Sequence, residues 1–375
     1  MRIVIVVNSL QQGGAERASV RLAESFAGDG HEVSLATWND DRDFYSLNKS
    51  VARVNLGDFF SRKGFNFPLI GNRLHRMGKI LDLFKFRSEI MSLNPDVVVC
   101  FEALVGSVTA ISLVGSKVPL IVSERVNPDP SIYLPHRIAQ LARPLIYRKS
   151  ALCSVQTKGF SDWVLKRWNV KAAITPNHIP DSWIASIKTS NSTNKKIVSI
   201  GRIEPQKGFD ILLNAWNNLD QIKDAWSLEI VGSQNNSSYL NELLSLNSQN
   251  VLFSLPTHEV SELLDNSTIF ISSSRFEGFP NVVLEALARG VPTIAAFSTD
   301  IINDWDESGA LIGYDSEDAE VLEKYLDALM RSPETLEKLS IQGLNVAKNY
   351  TWEVVGSSWY QAIDQAIKQK KFQRR

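Results

Sequence analysis

The chain has 375 residues, 44% hydrophobic and 22% charged, with a formal net charge of −1. That length accommodates two α/β domains with separate cores, and that balance excludes a disordered or membrane-spanning class. Two cysteines, Cys100 and Cys153, are too few for a disulfide framework or a zinc site and fit a reducing cytoplasm. The longest uncharged apolar stretch, residues 103–116, is shorter than the roughly 17–25 residues that span a bilayer. The apolar start at residues 3–7 is too short for a signal peptide. The near-zero charge hides a split: residues 1–180 carry 23 Lys and Arg against 15 Asp and Glu, and the remaining 195 carry 17 against 26. The two halves are therefore expected to meet different partners.

In chain order, residues 2–7 read as a buried strand, 8–14 as a loop and 15–27 as an amphipathic helix with Ala18, Leu22, Ala23 and Phe26 on one face. Gly28 and Gly30 end it, and 32–38 is a second strand. Further strands are expected at 51–56, 97–101, 119–123 and 152–155. Helices are expected at 84–93, 103–114, 134–148 and 157–168. The polar run 189–196 breaks the pattern and marks a linker. A second alternation follows, with strands at 197–200, 227–231, 251–254, 269–272 and 292–296. Its helices fall at 209–218, 239–247, 260–266 and 281–289. Strands separated by helices imply parallel sheets with right-handed crossovers. Two such series predict an α/β architecture of two Rossmann-like domains facing across a cleft, 1–188 and 189–350. Thr351 is placed to cap a helix in which Trp352, Val355, Trp359, Ile363 and Ile367 recur at helical spacing. That helix, 351–375, is expected to pack back toward the first domain, with the basic tail from Lys368 frayed.

The chemistry concentrates in the second domain. Gly201 lets the chain leave a strand tightly, and Arg202 sits at the strand's carboxyl edge, where open α/β sheets bind ligands. Lys207 and Gly208 are expected to open the next helix, whose N–H groups and dipole favour an anion. An Arg and a Lys so placed can hold a diphosphate and neutralise its charge as it leaves. Downstream, Glu277 lies on a loop and Glu285 lies in the helix that follows Pro280, which suits a first turn. The N–H groups of Asn281, Val282 and Val283 are expected to face phosphate or sugar oxygens. Cations for a diphosphate beside two carboxylates for sugar hydroxyls suggest a nucleotide-sugar site.

These motifs, Gly201-Arg202 with Lys207-Gly208, Glu277 and Glu285 eight positions apart, and the opening Gly13-Gly14-Ala15-Glu16-Arg17, resemble the family-4 retaining glycosyltransferases of GT-B fold, in the right order over nearly the whole chain. The resemblance implies that Arg202 and Lys207 bind the nucleotide diphosphate, that Glu277 faces the transferred sugar and that Glu285 binds the ribose hydroxyls. It implies donor contacts from Gly278, Phe279, Pro280, Asn281 and Val282, and from Gly232 and Leu255 after two further strands. It implies no metal and no cofactor beyond the nucleotide sugar itself.

In the first domain, Gly13 and Gly14 can bring backbone close to the donor. The absence of a G-x-G-x-x-G pattern argues against a nicotinamide dinucleotide. Ser123-Glu124-Arg125-Val126-Asn127-Pro128 places Glu124 and Arg125 at a strand end, with a catalytic or binding role expected of one or both. This form resembles bacterial family-4 enzymes that build surface polysaccharides or lipid-linked oligosaccharides, some of them N-acetylgalactosaminyltransferases. The stretch 61–90 has seven Lys and Arg against Asp82 and Glu89, and 131–171 has eight against Asp162. Interleaved with apolar residues, they suit an anionic inner-membrane surface or a polyprenyl-diphosphate acceptor. A solvated basic face is the alternative, and no nucleic-acid reader motif is present. Asp41-Arg42-Asp43 and Asp304-Trp305-Asp306 carry the spacing of a metal motif, but short acidic pairs recur by chance and neither is assigned to metal. A nucleotide-sugar epimerase and an inactive nucleotide-sugar-binding partner subunit are the rival readings.

Overall fold

The computed structural model describes residues 1–38, 43–57, 73–126, 143–144, 146–148, 150–184, 194–219, 225–246 and 249–372. The chain divides into two compact units, Met1–His178 with the chain from Val355 onward, and Ile179–Val354. The linker boundary expected at 188/189 lies outside the described residues.

In the first unit, β1 (Arg2–Val7), β2 (Glu32–Thr37), β3 (Val51–Asn55), β4 (Val97–Phe101), β5 (Leu120–Ser123), β6 (Leu152–Val155) and β7 (Ala172–Ile174) form a seven-stranded sheet in the order β3-β2-β1-β4-β5-β6-β7. Every pair is parallel. α1 (Gly14–Gly28), α2 (Arg73–Ser92), α3 (Ala103–Ser112) and α4 (Lys158–Trp168) connect or flank these strands. Near-continuous apolar runs such as Ile3–Val7 suit strands covered on both faces, and these five residues are at most 1% exposed. α4 starts where Thr157 accepts the Phe160 N–H at 3.3 Å and stops at Asn169 in the left-handed region, φ 52°.

In the second unit, β8 (Lys196–Ile200), β9 (Ser227–Val231), β10 (Val251–Ser254), β11 (Ile269–Ser272), β12 (Thr293–Ala296) and β13 (Ile312–Tyr314) form a six-stranded sheet in the order β10-β9-β8-β11-β12-β13. It is also parallel throughout. Its helices are α5 (Phe209–Asn218), α6 (Ser237–Leu246), α7 (Val260–Asp265), α8 (Asn281–Ala288), α9 (Asp300–Glu307), α10 (Ala319–Met330) and α11 (Pro333–Ala347). Two hydrophobic clusters fill this unit, one around Trp216, Leu228 and Leu326 and one around Phe270, Leu284 and Trp305.

α12 (Trp352–Phe372) carries the chain back to the first unit. Trp359 is 1% exposed, with its ring edge-on to Phe26 at 6.4 Å and stacked on Phe101 at 6.5 Å. The expected frayed tail is corrected, because the helix continues through Lys368 to Phe372. An Asp364–Lys368 pair one turn apart, at 2.5 Å, and cations facing the helix's negative end support that extension. The fold positions chemistry through two reversals of strand order, at β1/β4 and at β8/β11. In an open parallel sheet the loops leaving such a pair diverge and open a crevice at the carboxyl ends.

Candidate active site

Lys207 lies on the loop leaving β8, and Glu277 on the loop leaving β11. Those two strands flank the reversal of the second sheet. Lys207 Nζ donates to Glu277 Oε1 at 2.6 Å, with the two side chains 18% and 13% exposed. A charge pair this sheltered interacts more strongly than one in open water, and each partner would be costly to leave alone. A ligand that offers an anion to Lys207 and hydroxyl donors to Glu277 satisfies both at once.

The two loops are stitched together. Ser273 Oγ donates to the Lys207 carbonyl at 2.8 Å, Gln206 Nε2 to the Phe276 carbonyl at 2.9 Å, and the Arg275 N–H to the Gln206 carbonyl at 2.8 Å. Gly208 takes φ 62°, and a Cβ there would fall 2.1 Å from the Ser273 carbonyl oxygen, so conformation and crowding both require glycine. Gly232 is required for a related reason, since a Cβ would lie 1.7 Å from the Gly201 oxygen. Glu277 is anchored from the other side by its own N–H, which donates to the Ser298 carbonyl at 3.1 Å.

Lys207, expected to open the helix, belongs to a separate 3₁₀ turn, Pro205–Lys207, and after the left-handed Gly208 α5 spans Phe209–Asn218, where the helix was expected. Its first turn holds Asp210, whose N–H meets the Tyr239 hydroxyl at 3.2 Å, so this helix end is an acidic anchor rather than an anion site. At α8, Pro280 occupies the cap position, and the Asn281 N–H is taken by the Phe279 carbonyl at 2.9 Å. Among the described residues, the N–H groups of Val282 and Val283 make no backbone hydrogen bond to that loop. Phe279 is buried against Trp305 and Tyr350, each ring at 6.0 Å, which fixes the loop's exit, and the chain bends at Gly278 between Glu277 and that anchor.

The other expected residues fall as follows. Arg202 is about half exposed, with long contacts to Glu204 and Gln206, both at 3.4 Å, that an incoming anion can displace. Glu285 lies in α8 and is fully buried. Leu255, just past β10, is 70% exposed. In the first unit, Gly13 caps α1, whose first residue is Gly14. Gly13 backbone is extended, φ −174°, so it needs no left-handed freedom there.

Glu124 and Arg125 require a correction. Both lie at the carboxyl end of β5 as expected, but they are buried and engaged within the unit. Glu124 Oε2 accepts from Arg143 at 2.9 Å and from the Tyr147 hydroxyl at 2.5 Å. Arg125 donates to Asn177 Oδ1 at 2.7 Å and lies over the rings of Phe101 at 4.4 Å and Trp359 at 5.2 Å. Burial lowers its guanidinium pKa to about 9, against the opposing pull of Glu124. These groups hold β5, the end of the unit and α12 together. Of the two acidic pairs set aside, Asp43 is bound by Arg53 at 3.0 and 3.1 Å, and Asp306 accepts the Gly313 N–H at 2.8 Å. Asp41 and Arg42 lie outside the described residues, as do Asn127 and Pro128.

Two positions escaped the sequence reading. Arg275 lies two residues before Glu277 yet shows no role in the sequence, because its partners lie far along the chain. Glu102 follows β4 at the reversal of the first sheet with φ 72° and ψ 151°, a region normally left to glycine, and its N–H donates to the Ser123 carbonyl at 3.1 Å. Nothing in its sequence context announces that backbone.

Comparison with known proteins agrees with this geometry. The family described as "Glycosyl transferase 4-like domain" matches residues 13–178, and that described as "Glycosyl transferases group 1" matches 184–346. An uncharacterized glycosyltransferase of Haemophilus influenzae is 24% identical over 362 residues, 94% of this chain and 97% of that protein. A Campylobacter jejuni enzyme is 25% identical over 371 residues, 97% of this chain and 98% of its own. Its name is GalNAc-alpha-(1->4)-GalNAc-alpha-(1->3)-diNAcBac-PP-undecaprenol alpha-1,4-N-acetyl-D-galactosaminyltransferase. The crystal structure of Anabaena Alr3699/HepE in complex with UDP and glucose shares the fold with a TM-score of 0.78 at 14% identity, over 97% of this chain and 99% of that one. The chain belongs to the family-4 glycosyltransferases of GT-B fold, with a glycosyl transferase 4-like unit followed by a group 1 unit.

Proposed function

We propose that this glycosyltransferase moves a hexose or N-acetylhexosamine from a UDP-sugar, with retained anomeric configuration, to a glycan or polyprenyl-diphosphate-linked acceptor in surface polysaccharide assembly. The observation that carries this reading is the sheltered Lys207–Glu277 pair at the β8/β11 reversal. Lys207 and Arg202 take the diphosphate, Glu277 the sugar hydroxyls and Glu285 the ribose. The amides at the start of α8 and the backbone at Gly232 and Leu255 complete the donor contacts of the second unit. The bond from the anomeric carbon to the diphosphate breaks, and the two cations stabilise the departing charge. The acceptor oxygen bonds to the same face of the sugar, and its proton passes to the leaving phosphate. No metal is needed in this scheme, so chelation should leave the rate unchanged. The lipid-linked acceptor and the amino sugar draw support from the Campylobacter relative's name. Contact with an anionic inner-membrane surface is part of the proposal, and it draws on α2, where Leu81 and Phe84 are each 66% exposed beside exposed Lys85.

The test is UDP release from a panel of UDP-hexoses and UDP-N-acetylhexosamines, with and without polyprenyl-diphosphate glycan, followed by proton NMR of the product. Acceptor-dependent release and an α-linked product from an α-linked donor support the reading. An epimerised donor without release, or donor binding with no turnover for any acceptor, contradicts it.

A further inference from the structure

We propose that Arg275 is a positioning residue of the donor site, setting the separation of the two loops that carry Lys207 and Glu277. This rests on the donor reading above. An arginine two residues from Glu277 would ordinarily be assigned to the diphosphate. Its hydrogen bonding argues otherwise. Nε donates to Glu317 Oε1 at 2.8 Å. Nη1 donates to the Pro205 carbonyl at 2.6 Å and to Asp210 Oδ1 at 2.9 Å. Nη2 donates to Asp210 Oδ2 at 2.8 Å and to Glu317 Oε2 at 3.3 Å. A guanidinium has five N–H bonds, and all five are used within the protein, so none is left for a phosphate.

The partners define what the group does. Pro205 lies two residues before Lys207, and Arg275 two residues before Glu277, so the bond between them ties the loops just behind both reactive side chains. Asp210 is a fixed post: it stands in the first turn of α5 and also accepts the Tyr239 hydroxyl of α6 at 2.6 Å. Burial raises the Asp210 carboxyl, but the hydrogen bonds from Arg275 and Tyr239 and the Arg275 charge outweigh it and leave it below the ordinary carboxylate range. Glu317 is 68% exposed and is the weaker arm. The planar fork matters, because a lysine ammonium has three donors and cannot span two carboxylates and a carbonyl.

Arg275 therefore acts on transfer through Glu277 and Lys207. A displacement on the order of 1 Å between reacting groups can cost about a hundredfold in rate. UDP alone leaves Glu277 unengaged and tolerates a shifted loop, whereas a UDP-sugar bridges both loops and does not.

The experiment compares wild type, Arg275→Lys, Asp210→Asn, their double variant and Lys207→Ala. UDP affinity is read by calorimetry, kcat and donor KM by UDP release, and folded fraction by thermal unfolding. The expected result for Arg275→Lys is kcat at least tenfold down with UDP affinity within about threefold of wild type. Asp210→Asn should fall less, and the double variant no further than Arg275→Lys, since both act through one connection. Arg275→Lys with kcat within twofold of wild type while Lys207→Ala is inactive would overturn the positioning role and leave the donor site standing. UDP affinity falling in step with kcat would overturn it too, as the mark of a direct phosphate ligand or a general loss of fold. Full turnover by Lys207→Ala would instead bring down the donor reading and this inference with it.

Discussion

Replacing His178 by Asn should remove much of the acid sensitivity of the first unit. His178 is buried at the end of that unit, with a ring nitrogen 2.9 Å from Ser25 Oγ. Burial first, then the charges of Arg21 and Arg125, push its pKa down to about 3, against a weaker opposing hydrogen bond to the Arg21 backbone. The folded imidazole thus stays neutral where the unfolded one, near its ordinary 6.5, takes up a proton. The unfolded state binds more protons between those values, so stability falls as the pH drops below 6.5 and the loss levels off only near pH 3. Each pH unit in that window costs about 1.4 kcal/mol, or about 2 kcal/mol by pH 5 once the curvature near 6.5 is included. The assay is urea unfolding of wild type and His178→Asn at pH 7.5, 6 and 5. Comparing pH slopes removes the constant cost of the substitution and the contributions of groups common to both proteins, His31 among them. The wild type should lose about 2 kcal/mol more than the variant between pH 7.5 and pH 5. Equal losses would show that this imidazole is not held neutral, and would refute the packing described around Arg125 and Asn177.

Other consequences follow from the same structure. Gly208→Ala meets both a left-handed backbone and the Ser273 oxygen at 2.1 Å. It should cost at least about 2 kcal/mol and abolish donor binding, measurable by thermal unfolding and calorimetry on one sample; an unchanged melting point would contradict the loop packing. Trp359→Ala empties the fully packed position between Phe26 and Phe101 and should cost about 3–5 kcal/mol. Limited proteolysis should then cut α12 faster than in wild type, and equal rates would mean that the helix is held elsewhere. Asp210, with a lowered carboxyl, contributes stability above the ordinary carboxylate pKa that is lost as pH falls through its folded value. The stability gap between wild type and Asp210→Asn should therefore close in acid, and a gap constant from pH 7 down to pH 3 would oppose the Arg275–Asp210 account.

Much of the site was legible because its signals are local. A strand followed by Gly201-Arg202, and a Pro-led helix after Glu277, are patterns a few residues long whose geometry follows from the strand end and the helix start. The strand alternation identified both sheets, although three-residue strands such as β7 and β13 are too short to show a pattern. Residues 300–350 went unassigned, yet they hold α9, β13, α10 and α11. What stayed hidden depends on partners distant in sequence. Arg275 meets Asp210 65 positions away and Glu317 42 positions away, and no window on the chain joins them. Glu124 and Arg125 are legible as charges at a strand end, but their burial is not. Tyr147, Arg143 and Trp359 bury them, and that is a tertiary fact. The start of α5 at Phe209 was legible, but the left-handed backbone at Gly208 that sets Lys207 apart from it was not.

The measurement closest to the central claim is calorimetric titration of a UDP-sugar into wild type and Lys207→Ala. A charge-assisted hydrogen bond to phosphate contributes about 1.5–3 kcal/mol, and its loss leaves Glu277 unpaired beside the diphosphate. Affinity should therefore fall by at least tenfold in the variant while the protein stays folded. Equal affinity in the two proteins would contradict a donor site at the β8/β11 reversal.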